Sequence, residues 1–395
     1  MARVSITREV TVPDPIRLGR YSRAPELGPR VLFFSGGTAL RNTSRALKRY
    51  THNSIHLITP FDSGGSSAKL RDAFPMLAVG DLRNRLMALA DTTVQGHPAV
   101  FKLFVHRFPK EASNEDLRED LVEMAEGHDL LIEAVPPPLQ RLIRSNLKYF
   151  LDHMPEDFDL QGASIGNLIL AGGYLAHNRD IDAVVFLFSK LVEVRGLVRP
   201  VVDADLHLVA HLEDGSKVVG QHNLTSRQRA LPAPVKQLSL SSTLDVDTPA
   251  NVKIDDQTRE LIAKAELVVF PIGSFYSSVL ACLLPQGVGR AVSQAPSPKV
   301  YVPNCGRDPE QTGMSVAETV QALIRQLRSD AGEVPAQQLL NVVAVDSRRG
   351  EYPGGLDVSA IESLGVPVVD VDLVSDESAP MLDPDRLNEA LLSLV

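Results

Sequence analysis

The sequence predicts an α/β protein built on a doubly wound, mainly parallel sheet, with a helical insertion and an antiparallel hairpin. Three observations carry that expectation. From Val31 onward, short apolar or β-branched runs alternate with stretches of helical spacing. Between Ala99 and Met154 the β runs disappear and helical spacing continues alone. Two further runs, Leu206 to Leu212 and Lys217 to Asn223, flank Asp214-Gly215, a strong two-residue turn signal.

Taken in order, residues 1 to 28 mix prolines and charges without a period and read as a surface arm. Residues 29 to 395 then read as a single domain with a helical insertion at about 97 to 157. The spacing predicts strands at 31 to 34, 55 to 59, 267 to 270, 299 to 303, 340 to 345 and 367 to 373. Helices are expected at 39 to 50, 81 to 91, 164 to 176, 181 to 194 and 315 to 327, with a closing helix from Asp383. In a sheet of this kind ligands sit beyond the carboxyl ends of the strands.

Composition narrows the function classes. With 44% hydrophobic and 23% charged residues the chain is ordinary for a globular protein, and its net charge of −9 argues against general nucleic-acid binding. Cys282 and Cys305 are the only cysteines, which excludes a disulfide framework and a cysteine-rich zinc site. No membrane-length apolar run and no apolar centre of a secretory signal is present, so a cytoplasmic protein without a membrane partner is expected.

Three strand-to-helix junctions are rich in glycine and hydroxyl residues. Such junctions suit phosphate, because glycine admits close backbone approach and a helix's first N–H groups lack partners within the helix. The first junction holds Ser35, Gly36, Gly37 and Thr38; it matches neither a Walker A motif nor a dinucleotide fingerprint, and a plain tight turn stays open. The second holds Ser63, Gly64, Gly65, Ser66 and Ser67, with Lys69 and Arg71 nearby to neutralise charge; its bland rival is a linker. In the third, Gly273 and Ser274 precede Phe275 and Tyr276, an aromatic pair suited to flanking a ring or to simple packing.

Asp62 stands where a strand ends, placed either to bind magnesium beside a diphosphate or to cap the next helix. Asp81 is expected as the cap of its helix, with Arg83 and Asn84 directed into the same crevice, Arg83 as a phosphate clamp or as a solvated arginine. Asn167 opens another helix, and Asn304 follows a strand, where it suits a nucleobase or ribose. A two-residue turn at Asp214-Gly215 would set His207 opposite His222; ordinary sheet partnership outweighs a metal pair there, since no third ligand is evident. No nucleophile is legible.

Together these blocks resemble the CofD/YvcK-like family. GGTA at Gly36 to Ala39, DSGGSSAKLR from Asp62, AVGDLRN from Ala78, SIGNL from Ser164, IGSFYSS from Ile272 and NCGRDPEQT from Asn304 keep the family's order. The resemblance implies a Rossmann-like fold that binds a nucleotide or nucleotide-sugar ligand, and it implies self-association. CofD enzymes use magnesium to move a phospholactyl-type group from a guanosine diphosphate-linked donor, releasing GMP; YvcK proteins bind UDP-sugars as regulators. Carried over, Asp62 becomes the catalytic and magnesium-binding acid, and the Gly36, Gly64, Gly65, Ser66 and Ser274 loops hold ligand. Ala39 and Ala68 replace loop glycines, Ser63 replaces a second Asp, and Arg307 to Glu310 replace most of a Thr-Gln-Pro-Gly block. These departures, the long insertion and the Pro-rich C-terminal half point to a divergent branch, such as the CofD-like proteins encoded beside an ATP-grasp enzyme and a kinase (the GAK system).

Overall fold

A computed structural model describes residues 9–91, 97–225 and 231–395. Its main sheet has seven parallel strands: β1 (Val31–Ser35), β2 (Ile55–Ile58), β3 (Leu197–Pro200), β8 (Leu267–Phe270), β9 (Lys299–Tyr301), β10 (Val342–Val345) and β11 (Val368–Asp370). Their order is β11-β10-β9-β8-β1-β2-β3. Successive residues of β1 enter different cores: Leu32 and Phe34 pack on one face, Val31 and Phe33 on the other. Strands covered on both faces must be apolar throughout, as VLFF and LVVF are.

A second, separate sheet holds the antiparallel element: β4 (His207–Leu212), β5 (Lys217–Val219), β6 (Val235–Ser241) and β7 (Pro249–Ala250), ordered β5-β4-β6-β7. The hairpin thus lies outside the parallel sheet rather than within it. Its turn also differs from the two-residue expectation. His211 pairs with Lys217, Leu212 N–H donates to Ser216 O at 2.9 Å, and Gly215 N–H donates to Leu212 O at 3.1 Å. The loop is therefore Glu213-Asp214-Gly215, a turn whose third residue takes φ +86°, the left-handed conformation for which glycine is the natural choice. The register moves by one, so His207 lies opposite Ser241 of β6, while His222 sits in the short helix Gln221–Leu224. The cross-strand histidine pair does not form.

The stretch from residue 98 to 153 is helical, with Pro98–Val105, Asn114–Glu126, Leu130–Glu133 and Pro137–His153. These helices share a core with Gly80–Leu89 and Ile165–Ala176 beside β2 and β3. The N-terminal segment contains a helix, Pro15–Arg23, that the charge pattern had concealed. Asp14 caps it by accepting from Ile16 and Arg17 N–H, and Asp14 N–H reaches Ser393 Oγ of the closing helix Pro384–Ser393 at 2.8 Å. Among the described residues no helix is long and apolar enough to cross a membrane.

His56, within β2, stacks on Phe33 with ring centroids 5.0 Å apart. Burial, then the nearby Arg85 charge, holds its pKa well below the ordinary 6.5. The unfolded chain therefore takes up a proton below pH 6.5 that the folded chain refuses, and this site's contribution to stability falls with pH. Between pH 7.5 and 5.5 wild type is expected to lose about 1.4 kcal/mol more than His56→Gln, most of it below pH 6.5, read from urea denaturation at pH 7.5, 6.0 and 5.5.

Candidate functional site

The adjacent strands β8, β1 and β2 end side by side at the carboxyl edge of the sheet, and the chain runs outward in both directions from the β8/β1 boundary. The loops that follow them line one cavity of about 760 Å³. Gly36, Gly37 and Thr38 come from β1, Asp62 and Gly64 to Ser67 from β2, and Gly273 and Ser274 from β8. Asp81, Arg83, Asn84 and Asn167 reach the same cavity from helices Gly80–Leu89 and Ile165–Ala176.

The first loop rests on Arg85, which is fully buried. Its guanidinium donates to Leu40 O at 3.0 Å, to Gly36 O at 2.9 Å and to Ser44 Oγ. Burial lowers its pKa to about 10, with Asp81 acting in the opposite direction. With its carbonyls drawn down onto the guanidinium, the loop keeps its N–H groups for other partners. One of them, Gly37 N–H, bonds the Asp81 carboxylate. A Cβ on Gly37 would lie 2.0 Å from Asp81 Oδ1, so only glycine permits this approach.

Asp81 therefore does not cap its helix, whose N-cap is Val79 with no side-chain bond; it sits in the first turn and turns under the neighbouring loop. Its pKa is raised to about 7, first by burial and then by the Asp62 charge, against Arg85, the Gly37 N–H and Arg83. Asp62 Oδ1 accepts from Gly64 N–H at 3.0 Å, and its other oxygen lies 3.6 Å from the Cβ position of Gly80. Two carboxylates from different segments thus line one cavity, and such a donor set fits a divalent cation.

Beside them lies a cationic group. Arg83 Nε donates to Asn167 Oδ1 at 3.1 Å, and Asn167 Nδ2 donates to Ser66 Oγ at 3.3 Å. Only 5% of Arg83 is exposed; its pKa falls to about 10 through burial and then through Arg107 and Arg41. Among the described residues none of these three arginines has a carboxylate within ion-pair distance, and the buried Arg41 Nε has no hydrogen-bond partner. Arg107, which lines the cavity and donates to Gly162 O at 3.1 Å, carries no motif and escaped the sequence reading, as did Arg41.

Several expected contributors lie elsewhere. Lys69 pairs with Asp159, and Arg71 with Asp205 and Asp62 O, so neither charge is free for ligand. Ser63 is buried against His222, 2.9 Å from Nδ1. Tyr276 faces the core, its hydroxyl donating to Val235 O at 3.1 Å. Asn304 acts on the loop rather than in the cavity, accepting from Gly273 N–H at 2.8 Å and donating to Gly273 O at 2.7 Å.

The third junction is the largest departure. The N–H groups of Phe275, Tyr276 and Ser277, expected to be open to phosphate, already donate to Asp308 Oδ2 at 3.1 Å and to Glu310 Oε2 at 2.9 Å twice over. Glu310 is buried, and burial together with Asp308 raises its pKa to about 7. Carboxylates from this chain occupy the position of an external anion, leaving Ile272, Gly273, Ser274 and Ser278 as this junction's contribution to the lining.

With that geometry established, likeness to known proteins can be placed. The sequence pattern of the 2-phospho-L-lactate transferase CofD family matches residues 31–374. The gluconeogenesis factor of Bacillus subtilis is 28% identical over 356 residues, covering 88% of this chain and 92% of its own length. A protein of Deinococcus radiodurans is 29% identical over 321 residues, 80% of this chain, and the match spans 54% of that longer protein. A UPF0052-family protein from Bacillus halodurans shares the fold, with a TM-score of 0.69 at 24% identity over 92% of this chain and 99% of that one.

Replacing Arg85 tests the support beneath the first loop. Arg85→Met leaves Gly36 O without a donor, takes one of three donors from Leu40 O and removes the positive charge facing Asp81. It is expected to cost about 3–5 kcal/mol in urea unfolding.

Proposed function

Since the chain belongs to the 2-phospho-L-lactate transferase CofD family, we propose that it is a cytoplasmic protein whose cleft binds a nucleoside diphosphate-linked ligand with magnesium. On this reading it transfers a phospholactyl-type group from a guanosine diphosphate-linked donor. The observation that carries the proposal is convergence: Asp62, Asp81 and the Gly36–Thr38 and Gly64–Ser67 loops all line a single cavity. Asp62 and Asp81 would hold the ion, which supplies charge neutralisation for the diphosphate.

The remaining work falls to positioning and electrostatics, since phosphoryl transfer asks little covalent chemistry of the protein. Backbone N–H groups of the two glycine loops and the Ser66 hydroxyl bind phosphate oxygens. Arg83, oriented by Asn167, and Arg107 neutralise charge that the loops leave uncovered. An acceptor hydroxyl oxygen forms a bond to the β-phosphorus as the bridging P–O bond to the α-phosphate breaks. GMP departs with the bond's electron pair, and the hydroxyl proton is released to solvent.

The loss of an acid at position 63 bears on this reading less than the sequence suggested. Asp81 supplies a second carboxylate from a different segment, so a two-carboxylate donor set survives. A second reading, a non-catalytic UDP-sugar-binding regulator, is favoured by likeness to a protein named gluconeogenesis factor.

Thermal shifts separate the two. With GDP, UDP-N-acetylglucosamine and pyrophosphate, each with and without magnesium, the transferase reading expects magnesium-dependent stabilisation by GDP, about 2.7 kcal/mol at a hundredfold excess over Kd. Asp62→Asn and Asp81→Asn are each expected to abolish the magnesium-dependent part. Stabilisation by the UDP-sugar alone, indifferent to magnesium and to both variants, supports the regulator and removes the metal site.

A further inference from the structure

The cavity is lined by polar groups and glycine backbone except at one wall. Its apolar side chains are Ala39, Leu40, Ile272 and Met381, of which Leu40 is buried in the core. Ala39 Cβ lies 3.8 Å from the Cβ position of Gly273, and Ile272 precedes Gly273 in the chain. Asn304 grips both backbone groups of Gly273. Two residues beyond Asn304, the Cβ position of Gly306 lies 3.7 Å from Met381 Sδ and 3.8 Å from its Cε. Ala39, Ile272, Gly273 and Met381 thus form one wall of the cavity, backed by Asn304 and Gly306.

Met381 is 58% exposed, yet its loop is fixed at both ends. Leu373 and Val374 N–H both donate to Asp346 Oδ2 at 3.0 Å. Asp383 N–H donates to Leu373 O at 2.7 Å, Met381 N–H donates to Ser378 O at 2.8 Å, and Leu382 is buried. A held loop therefore presents one large apolar side chain at the mouth of a polar cleft. It lies beyond residue 374, where the family match ends.

We infer that this wall receives the base of the nucleoside diphosphate ligand, with Met381 lying against the ring. The inference rests on the diphosphate reading above and adds where the ligand's non-phosphate end goes. A thioether is polarizable and makes favourable contacts with aromatic rings, and a flexible methionine adapts to the ring's position. Covering Met381 also removes exposed apolar surface from water. Neither the phosphates nor a hydroxyl-rich sugar gains from such a wall, whereas a flat base does.

Isothermal titration of the full chain with magnesium tests the inference, using pyrophosphate, GDP and UDP as probes. Wild type is expected to bind GDP or UDP at least roughly tenfold more tightly than pyrophosphate. Met381→Ala should weaken the favoured nucleotide by roughly five- to tenfold and leave pyrophosphate unchanged, and Met381→Leu should restore most of the difference. Unchanged nucleotide affinity in Met381→Ala overturns the inference, as does an equal loss for pyrophosphate. Failure of pyrophosphate and both nucleotides to bind wild type removes the diphosphate site itself, and the wall with it. Circular dichroism melting confirms that the variants fold.

Discussion

The cleft depends on one buried guanidinium. Arg85 stands beneath the end of β1 and draws the carbonyls of Gly36 and Leu40 toward itself, fixing which way the peptide planes of the first loop face. A lysine offers a point charge on a flexible stem, whereas the planar fork of arginine serves several acceptors in fixed directions. The Gly37 N–H is thereby turned toward Asp81, and Asp81 toward Asp62. A loop of this composition has no strong preference of its own, since glycine leaves the backbone free. The order comes from below, from a side chain on the helix Gly80–Leu89.

Much of the architecture was legible because strands buried on both faces are written as unbroken apolar runs. What escaped depended on tertiary partners. β3 contains Arg199 and Pro200, which read as poor strand residues; the arginine is buried because Asp182 and Asp255 meet it from two other helices. The N-terminal helix carried a readable signal, an Asp cap before Pro at the first position, obscured by charge around it. The hairpin was correctly placed in the chain, but its register turned on whether Gly215 was the second or third loop residue, and composition alone does not separate those cases.

At the site, strand-to-helix junctions were visible as glycine and hydroxyl clusters, but whether their N–H groups stay open was not. The Phe275–Ser277 amides are taken by acids more than thirty residues later in the chain. Likewise, Lys69 and Arg71 resembled phosphate partners only while Asp159 and Asp205 were unseen. Sequence supplies candidates for a polar contact; competition among them is settled by proximity in the fold. The same proximity works in the other direction for Asp81, which is brought beside Asp62 from a helix that no local pattern connects with position 62.

The cleft also holds charge in an arrangement that a purely structural site would avoid. Burial and then the Asp62 charge raise the cost of ionising Asp81, while burial and then Arg107 and Arg41 depress the proton affinity of Arg83. Direct pairing between the two sets would relieve both, yet Asp81 is held by the Gly37 N–H and Arg83 by Asn167. Asn167 is neutral, so it orients the guanidinium without cancelling its charge, and it extends its other end to Ser66. Like charges kept apart from their nearest remedy are relieved by a ligand carrying both signs, an anion with its own cation. Asp62, Asp81, Arg83 and Arg107 line the same cavity, so the magnesium diphosphate proposed for it would meet both sets of charge at once.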